Sequence, residues 1–285
     1  MNSITYYVLK GLSRWLKKSS RTGQLRYQSL LAAFLYRHVS LRKDRAYSQL
    51  KNAFPTRTEG SLRKTMQQLY LHFTGEFLRF LTLPESFRTL TFTVEGIRHL
   101  QQALGGGRGV LLVTGHFGSW ETLAAWLGQA GYPVTAVANR QSNRGADRFF
   151  REQRETSGIE HIYNKRGTAA MKSVLDQNRI LILASDQDAR RNGVFVRFFG
   201  RPASTPRGAA VFHRRTGAPI LFATCQAEGP RAFRVRFQPL PIGRQASVPD
   251  IVQAYTSCLE AAIRPHPEQY FWFHRRWKTK PPRSA

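Results

Sequence analysis

Hydrophobic residues in the second half of the chain fall into short apolar runs and longer amphipathic stretches. The short runs predict strands at residues 109–114, 134–138, 180–184, 219–224 and 233–237, the last of them an alternating, edge-like strand. Helical spacing predicts helices at residues 121–129, 145–156, 168–178, 206–216 and 249–263. Because strands that alternate with helices are typical of α/β folds, we expect residues 91–285 to form an α/β domain with a largely parallel central sheet and flanking helices.

The first 90 residues have the periodicity of helices alone. Apolar residues recur at helical spacing at Ile4, Val8, Leu12, Trp15 and Leu16, with Lys10, Arg14, Lys17 and Lys18 among the remaining positions. Such a helix can lie in a membrane interface, although it can also pack on the domain as an ordinary amphipathic helix. Residues 27–38 are apolar enough for either arrangement, and residues 61–83 predict a helix that stops at Pro84. We interpret residues 1–90 as an N-terminal helical, membrane-associating region.

The N-terminus lacks the pattern of a cleaved signal peptide, because charged residues interrupt its apolar positions from Lys10 onward. Its longest early apolar run, residues 30–36, is far shorter than the roughly 20 residues that a spanning helix needs. We therefore expect association with a membrane surface without a spanning helix.

Charge changes this picture. Lys and Arg total 44 against 17 Asp and Glu, a formal net charge of +27, which should attract an anionic partner: nucleic acid, a negatively charged membrane or an acidic protein. The two cysteines, Cys225 and Cys258, have no metal-binding spacing and fall in predicted elements, so we expect structural roles for them in a reducing compartment, although one disulfide is compatible with the sequence. The Arg-rich tail at 275–283 is expected to be mobile.

The candidate chemistry begins at the segment Thr114-Gly-His-Phe-Gly-Ser-Trp-Glu121, which follows a predicted strand and opens a helix. His116 would lie on the turn and Glu121 inside the helix, so the carboxylate could reach back to one imidazole nitrogen and leave the other to accept a proton. Gly115 and Gly118 would let a substrate approach the turn. The alternative is a histidine that caps the helix beside a glutamate that complements the helix dipole.

Four more polar residues follow predicted strands or lie in the next helix. Arg140 and Arg154 are candidates to hold a phosphate or to stabilise an oxyanion, or they are ordinary surface arginines. Asp186 and Asp188 could bind substrate hydroxyls, position Arg140 or ligate a metal, or they could cap a helix and order a loop. Two carboxylates without a third ligand argue only weakly for metal, so no metal site is predicted.

Four motifs in order make the chain resemble a known family. His116-x4-Glu121 after a buried strand resembles the H-x4-[DE] motif of glycerolipid-type acyltransferases, and its surroundings are similar to the lipid A lauroyl/myristoyl acyltransferase family. The other stretches that match this family are Asn52-Ala-Phe-Pro55, Asp186-Gln-Asp188 with Gly193-Val-Phe-Val-Arg-Phe-Phe-Gly200 and Pro202-Ala-Ser-Thr-Pro206, and Pro267-Glu-Gln-Tyr-Phe-Trp-Phe-His-Arg-Arg-Trp-Lys278. Arg197 departs from the family, which commonly has proline there. The N-terminus departs too, because family members commonly begin with a spanning helix.

The resemblance implies secondary acylation in lipopolysaccharide biosynthesis. A fatty acyl group would pass from an acyl carrier protein thioester to a hydroxyl of a lipid A precursor, an anionic glycolipid, at the cytoplasmic face of the cell inner membrane. His116 would be the general base and Glu121 its orienting residue, with no cofactor. Because both cysteines are expected to be structural, the residues favour direct transfer in a ternary complex over an acyl-enzyme. Both substrates are acidic, which agrees with the basic composition. The alternatives are another glycolipid acceptor, such as a phosphatidylinositol mannoside, a lysophospholipid acceptor and, more remotely, a nucleic-acid-binding protein, although no nucleic-acid-binding motif is present.

Overall fold

The computed structural model describes residues 2–39, 42–163, 167–243 and 245–282. Four helices come first: α1 (Asn2–Lys18), α2 (Arg21–His38), α3 (Lys43–Ala53) and α4 (Glu59–Thr82). The hydroxyls of Ser20 and Thr58 cap the first turns of α2 and α4 by accepting hydrogen bonds from backbone N–H groups that helix geometry leaves free. Helix α3 was not among the predicted elements.

A seven-stranded sheet occupies the rest of the chain. Its strands are β1 (Thr91–Glu95), β2 (Val110–Thr114), β3 (Val134–Ala138), β4 (Ile159–Tyr163), β5 (Ile180–Ala184), β8 (Ile220–Ala227) and β9 (Ala232–Pro239), in the order β1-β9-β8-β2-β5-β3-β4. All neighbours pair in parallel except β8 and β9, which are antiparallel. The predicted α/β class with a largely parallel sheet is therefore confirmed.

Helices cover both faces of this sheet. They are α5 (Ile97–Gly105), α6 (Trp120–Gln129), α7 (Arg144–Thr156), α8 (Gly167–Asp176), α9 (Gly208–Thr216) and α10 (Val248–Ile263), and a separate antiparallel hairpin joins β6 (Val194–Phe198) to β7 (Arg201–Thr205). The two buried clusters each combine side chains from the helical region and from the sheet: Leu62 and Leu111 share one, Leu16 and Leu112 the other. The division of the chain near residue 90 stays a prediction.

One predicted strand position was wrong. The run 233–237 was expected at an edge, but β9 lies between β1 and β8. Its alternation arises because Phe233, Val235 and Phe237 are buried on one face, whereas Arg234 and Arg236 on the other face pair with Glu95 of β1. An alternating pattern reports which face is covered and says nothing of whether both edges are paired.

Helix α1 packs against α7 of the α/β part and against α4. Leu16 is only 1% exposed, the Ser13 hydroxyl donates to the Leu81 carbonyl, and Lys10 and Lys17 form ion pairs with Glu152 and Glu85. For Leu16 and these lysines the structure agrees with the alternative of an amphipathic helix that packs on the protein, because the protein itself supplies their apolar and acidic partners. The opposite face of α1, with Ile4, Val8 and Trp15, is exposed.

Within the described ranges, no helix combines the length and the apolar content needed to cross a bilayer.

Candidate active site

His116 and Asp186 meet because strands β2 and β5 pair in register. Thr114, the last residue of β2, lies opposite Ala184, the last residue of β5. His116 and Asp186 each follow two residues later, so both side chains lie at the carboxyl edge of the sheet, where sites of open α/β sheets form. The Nδ1 atom of His116 lies 2.7 Å from Oδ1 of Asp186.

This hydrogen bond sets the state of the imidazole. Ionised Asp186 only accepts, so Nδ1 carries the proton and Nε2 keeps its lone pair. Among the described residues no hydrogen bond to Nε2 is recorded, and 23% of the His116 side chain is exposed. The geometry therefore presents one basic nitrogen to an incoming molecule.

The charges of the pair also shift both pKa values. Desolvation lowers the pKa of His116, but the charge and hydrogen bond of Asp186, together with the charge of Glu121, raise the net value above 6.5. Burial raises the pKa of Asp186, and the charge and hydrogen bonds of His116 outweigh it, so the net pKa is lowered. An ionised carboxylate beside the imidazole stabilises its protonated form.

Glu121 does not contact His116 by a hydrogen bond. Its two carboxylate oxygens accept from Arg154, with Nε at 3.0 Å and Nη2 at 2.6 Å. The predicted role of Glu121 in binding an imidazole nitrogen was wrong, because the planar guanidinium matches the carboxylate in a bidentate pair and Asp186 occupies Nδ1. Burial raises the pKa of Glu121, but the charge of Arg154 outweighs it and holds the pKa low. Glu121 therefore acts on His116 through its charge alone.

The C-terminal segment, residues 267–279, holds the turn that carries His116. The backbone N–H of Phe271 donates to the His116 carbonyl at 2.9 Å, and that of Gly118 donates to the Gln269 carbonyl at 2.8 Å. Gly118 has φ +61°, and a Cβ there would lie 2.2 Å from the Cys225 carbonyl oxygen. The glycine therefore admits a neighbouring strand of the same chain, where we had expected it to admit a substrate.

Aromatic side chains form a wall beside the imidazole. The ring of Trp120 lies 5.1 Å from that of His116, and Phe271 lies 6.1 Å away, measured between centroids. Phe73 of α4 contacts both Trp120 and Phe271, at 5.8 and 5.3 Å. This arrangement gives the exposed nitrogen an apolar neighbourhood.

The two predicted arginines differ in their surroundings. Arg140 is exposed (69%), stacks over the Tyr163 ring at 4.6 Å and lies 4.0 Å from Asp147; the structure records no contact from it to Asp186 or Asp188 among the described residues. Arg154 is committed to Glu121. The proposal that the aspartates position Arg140 is therefore wrong, whereas a role for Arg140 in anion binding stays a prediction.

Asp188 anchors the end of the chain. Its carboxylate accepts from the backbone N–H and the hydroxyl of Thr279, and its own N–H donates to Nε2 of His274. Arg276 is buried, and its guanidinium donates hydrogen bonds to the Ser204 carbonyl and the Thr205 hydroxyl. The expectation of a mobile tail was thus wrong for residues 275–279, and residues 283–285 lie outside the described part. Both oxygens of Asp188 are occupied, which favours its alternative role of ordering a loop.

Both cysteines carry free thiols, and no thiolate is favoured at either. Burial raises the pKa of Cys225, and burial also raises that of Cys258, whose sulfur accepts a hydrogen bond from Gln238. Within the described residues no three His, Cys, Asp or Glu side chains are grouped as metal ligands.

The sequence analysis missed the Asp186–His116 contact. It also missed Tyr270 and Arg276, two buried residues next to Asp186. Burial raises the pKa of Tyr270 well above its ordinary value, and the adjacent Asp186 charge adds to this. The available signal was the equal spacing of His116 and Asp186 after two buried strands. It becomes useful only once β2 and β5 are known to be neighbours.

Comparison with known proteins connects this geometry to one family. The profile described as "Bacterial lipid A biosynthesis acyltransferase" matches residues 16–279. Similar proteins include a phosphatidylinositol mannoside acyltransferase of Mycobacterium tuberculosis, 31% identical over 194 residues, which are 67% of this chain and 61% of the relative. Two proteins of Escherichia coli are also similar: a lipid A biosynthesis palmitoleoyltransferase, 28% identical over 70% of this chain and 65% of its own, and a lauroyltransferase, 27% identical over 66% and 62%.

The matched part spans less than two thirds of the length of each of these relatives. The family match itself covers nearly the whole chain, including the His116 turn, the Asp186 loop and the C-terminal segment that joins them. The chain therefore belongs to the bacterial lipid A biosynthesis acyltransferase family.

Proposed function

We propose that this protein transfers a fatty acyl group from an acyl carrier protein thioester to a hydroxyl of a lipid A precursor. The observation that carries the proposal is the partly exposed imidazole of His116, whose Nδ1 is held by buried Asp186 and whose Nε2 has no hydrogen-bond partner among the described residues. A free alcohol is a poor nucleophile, and a base within hydrogen-bond reach of its proton is what acyl transfer to it requires.

In the proposed step His116 Nε2 removes the proton of the acceptor hydroxyl as its oxygen attacks the thioester carbonyl carbon. The carbon–sulfur bond then breaks, and the imidazolium returns the proton to the departing thiolate. Asp186 stabilises the imidazolium between these events, since its carboxylate is ionised and bonded to Nδ1. With both thiols protonated, the transfer needs no acyl-enzyme.

Glu121 and Arg154 have positioning roles in this proposal. The bidentate pair ties the first turn of α6 to α7, and the Glu121 charge favours the protonated imidazole without touching it. The aromatic wall of Phe73, Trp120 and Phe271 suits the apolar chain of the donor, because burial of methylene groups against it is favourable by ~0.8 kcal/mol each.

We also propose that the enzyme works at the cytoplasmic face of the inner membrane, through exposed apolar side chains of the first two helices. This apolar face comprises Ile4, Tyr7, Val8, Trp15, Leu30 and Phe34. Trp15 and Tyr27 contact each other at 4.5 Å between ring centroids, which joins the α1 and α2 parts of the face. An apolar face of this kind is typical of helices that lie in a lipid interface.

The net charge of +27 supports two acidic substrates, an acyl carrier protein and a phosphorylated glycolipid. Exposed Arg140, at the same edge of the sheet as His116, is proposed to contact one of them. Membership of an acyltransferase family favours this account over nucleic-acid binding.

A second acceptor is supported by the similarity to phosphatidylinositol mannoside acyltransferases. The test is to incubate the purified protein with acyl-loaded carrier proteins and a panel of acceptors, and to identify products by mass spectrometry. The panel holds a lipid A precursor, a phosphatidylinositol mannoside and a lysophospholipid. Acylation of the lipid A precursor supports the first proposal, acylation of the mannoside alone favours the second, and no product with any acceptor contradicts both.

A further inference from the structure

A cavity lies apart from the imidazole, between α3 and the C-terminal segment. Its volume is about 630 Å³, within the range of small-ligand sites, and four cationic side chains and one carboxylate line it. The cations are Arg42, Arg45, Arg275 and Lys278, and the carboxylate is Asp44.

Among the described residues, none of these four cations forms an ion pair. Most carboxylates of the described residues form ion pairs, but none of those pairs includes one of the four, and none includes Asp44. Desolvation lowers the pKa of Arg45, and the like charges of Arg275 and Arg42 lower it further. Like charges around one concave surface repel each other until an anion enters.

The backbone fixes this cavity at the edge of the sheet that carries His116. The backbone N–H of Phe271 donates a hydrogen bond to the His116 carbonyl. The backbone N–H of Arg276 donates to the side chain of Gln49 in α3. The backbone N–H of Thr279 donates to Asp188, beyond the carboxyl end of β5. Arg275 is thus only four residues from the segment that holds the imidazole. That span is at most about 14 Å of extended chain.

The cavity also lies near the α2 end of the apolar face. Lys43, the first residue of α3, donates to the Tyr36 carbonyl near the end of α2 at 2.7 Å and lies over the Tyr36 ring. Arg42 and Arg45 therefore stand beside the end of the helix that exposes Leu30 and Phe34. Cations next to an exposed apolar surface are the arrangement that holds an anionic head group while its chains stay in lipid.

We propose that this cavity binds the phosphate-bearing head group of a membrane lipid. The inference rests on the proposed function in one respect, since it takes that lipid to be the acyl acceptor. The guanidinium groups of Arg45 and Arg275 bind phosphate oxygens in pairs, and Arg42 and Lys278 add charge around them.

The test measures binding to phosphatidylcholine vesicles that carry phosphatidic acid. Vesicles given the same surface charge with oleate, a carboxylate, serve as the reference. The variant is Arg45→Gln with Arg275→Gln. Its matched control is Arg108→Gln with Arg215→Gln, which removes the same charge from exposed positions at the opposite edge of the sheet, where β2 and β8 begin.

The cavity variant should bind phosphatidic acid vesicles weaker than the control variant by on the order of tenfold, with equal binding of both to oleate vesicles. Equal weakening in both variants, or none in the cavity variant, would overturn the proposal. Titration with inorganic phosphate alone is the third arm: saturable binding without preference for phosphatidic acid vesicles would assign the cavity to a free phosphate compound and overturn the lipid source.

No acyl donor is present in this assay, so its outcome is separate from transfer. His116→Ala should discriminate phosphatidic acid from oleate as the parent does. A protein that discriminates the two vesicles yet acylates no acceptor would contradict the proposed function alone.

Discussion

The Asp186 carboxylate lies 2.7 Å from Nδ1 of His116, and the two residues reach each other across the paired strands β2 and β5. This contact decides the chemistry of the site, because it orients the imidazole, selects its tautomer and leaves Nε2 for the substrate. Glu121, although nearer in sequence, acts from a bidentate pair with Arg154.

Activity should fall as the pH is lowered, with an inflection above 6.5. The imidazole must be neutral to act as a base. Because Asp186 raises the pKa of His116 above its ordinary value, the imidazole becomes protonated, and activity is lost, at a higher pH than for an ordinary histidine. Asp186→Asn keeps an oxygen that accepts from Nδ1 but loses the charge. The inflection of kcat/KM should therefore move to lower pH, and the plateau should drop by on the order of tenfold or more. An inflection that stays where it is in Asp186→Asn would mean that the carboxylate does not set the pKa of the base.

Glu121→Gln should cost about 2 kcal/mol of unfolding free energy, because it leaves the largely buried Arg154 guanidinium without its anion. Arg154→Met should cost a similar amount, and the double variant should lose far less than the sum. Urea unfolding of the four proteins gives this coupling, and kcat/KM of Glu121→Gln should be impaired less than that of His116→Ala. Additive losses would show that the pair does not act as a unit.

Cys225→Ala combined with Cys258→Ala should retain most of the transfer activity. The pKa of each thiol is raised by burial, so neither supplies the thiolate that a covalent intermediate needs. The check is product formation by the double variant, together with mass spectrometry of the parent protein quenched during turnover. An acyl group trapped on either cysteine would replace direct transfer by a two-step mechanism.

Ile4→Glu combined with Val8→Glu should release the protein from anionic liposomes. Both side chains are exposed on the apolar face, and each contributes about 1.5 kcal/mol or more when buried in lipid, so binding should weaken by more than tenfold. The loss should persist at high salt, which screens charge but not apolar burial.

The matched control for this face is Gln101→Glu with Gln102→Glu, which adds the same charge at exposed positions of α5. The control should lose only the part of the binding that salt screens. If both variants bind liposomes like the parent, the first helix is not the membrane contact.

The sheet could be predicted from the sequence wherever a strand is buried on both faces. Residues 110–114 and 180–184 are uninterrupted apolar runs, and such runs have few other places in an α/β fold. Strands β1 and β4 and the hairpin β6–β7 escaped prediction. Polar residues interrupt the apolar positions of β1 and β4, which are largely part-exposed, and β7 is mostly polar although half of the hairpin is buried.

The site itself was predictable in location but not in contacts. His116 could be placed at a strand end, yet its partner depends on the register of two strands separated by about 70 residues of chain. Glu121 was chosen because local spacing is visible in a sequence and register is not. The ordered end of the chain escaped for the same reason, since the bonds of Thr279 and Arg276 join segments far apart along the chain.

Single-turnover acyl transfer by His116→Asn is the most direct test of the account. Asparagine places an amide N–H near the position of Nδ1, so it can still donate to Asp186, and the buried carboxylate keeps a partner while the basic nitrogen is lost. His99→Asn, on α5, is the matched control. We expect His116→Asn to fold with an unchanged Tm and to transfer acyl groups at least about a hundredfold slower than the parent, with the control unaffected. Transfer by folded His116→Asn at close to the parent rate would contradict the assignment of His116 as the base.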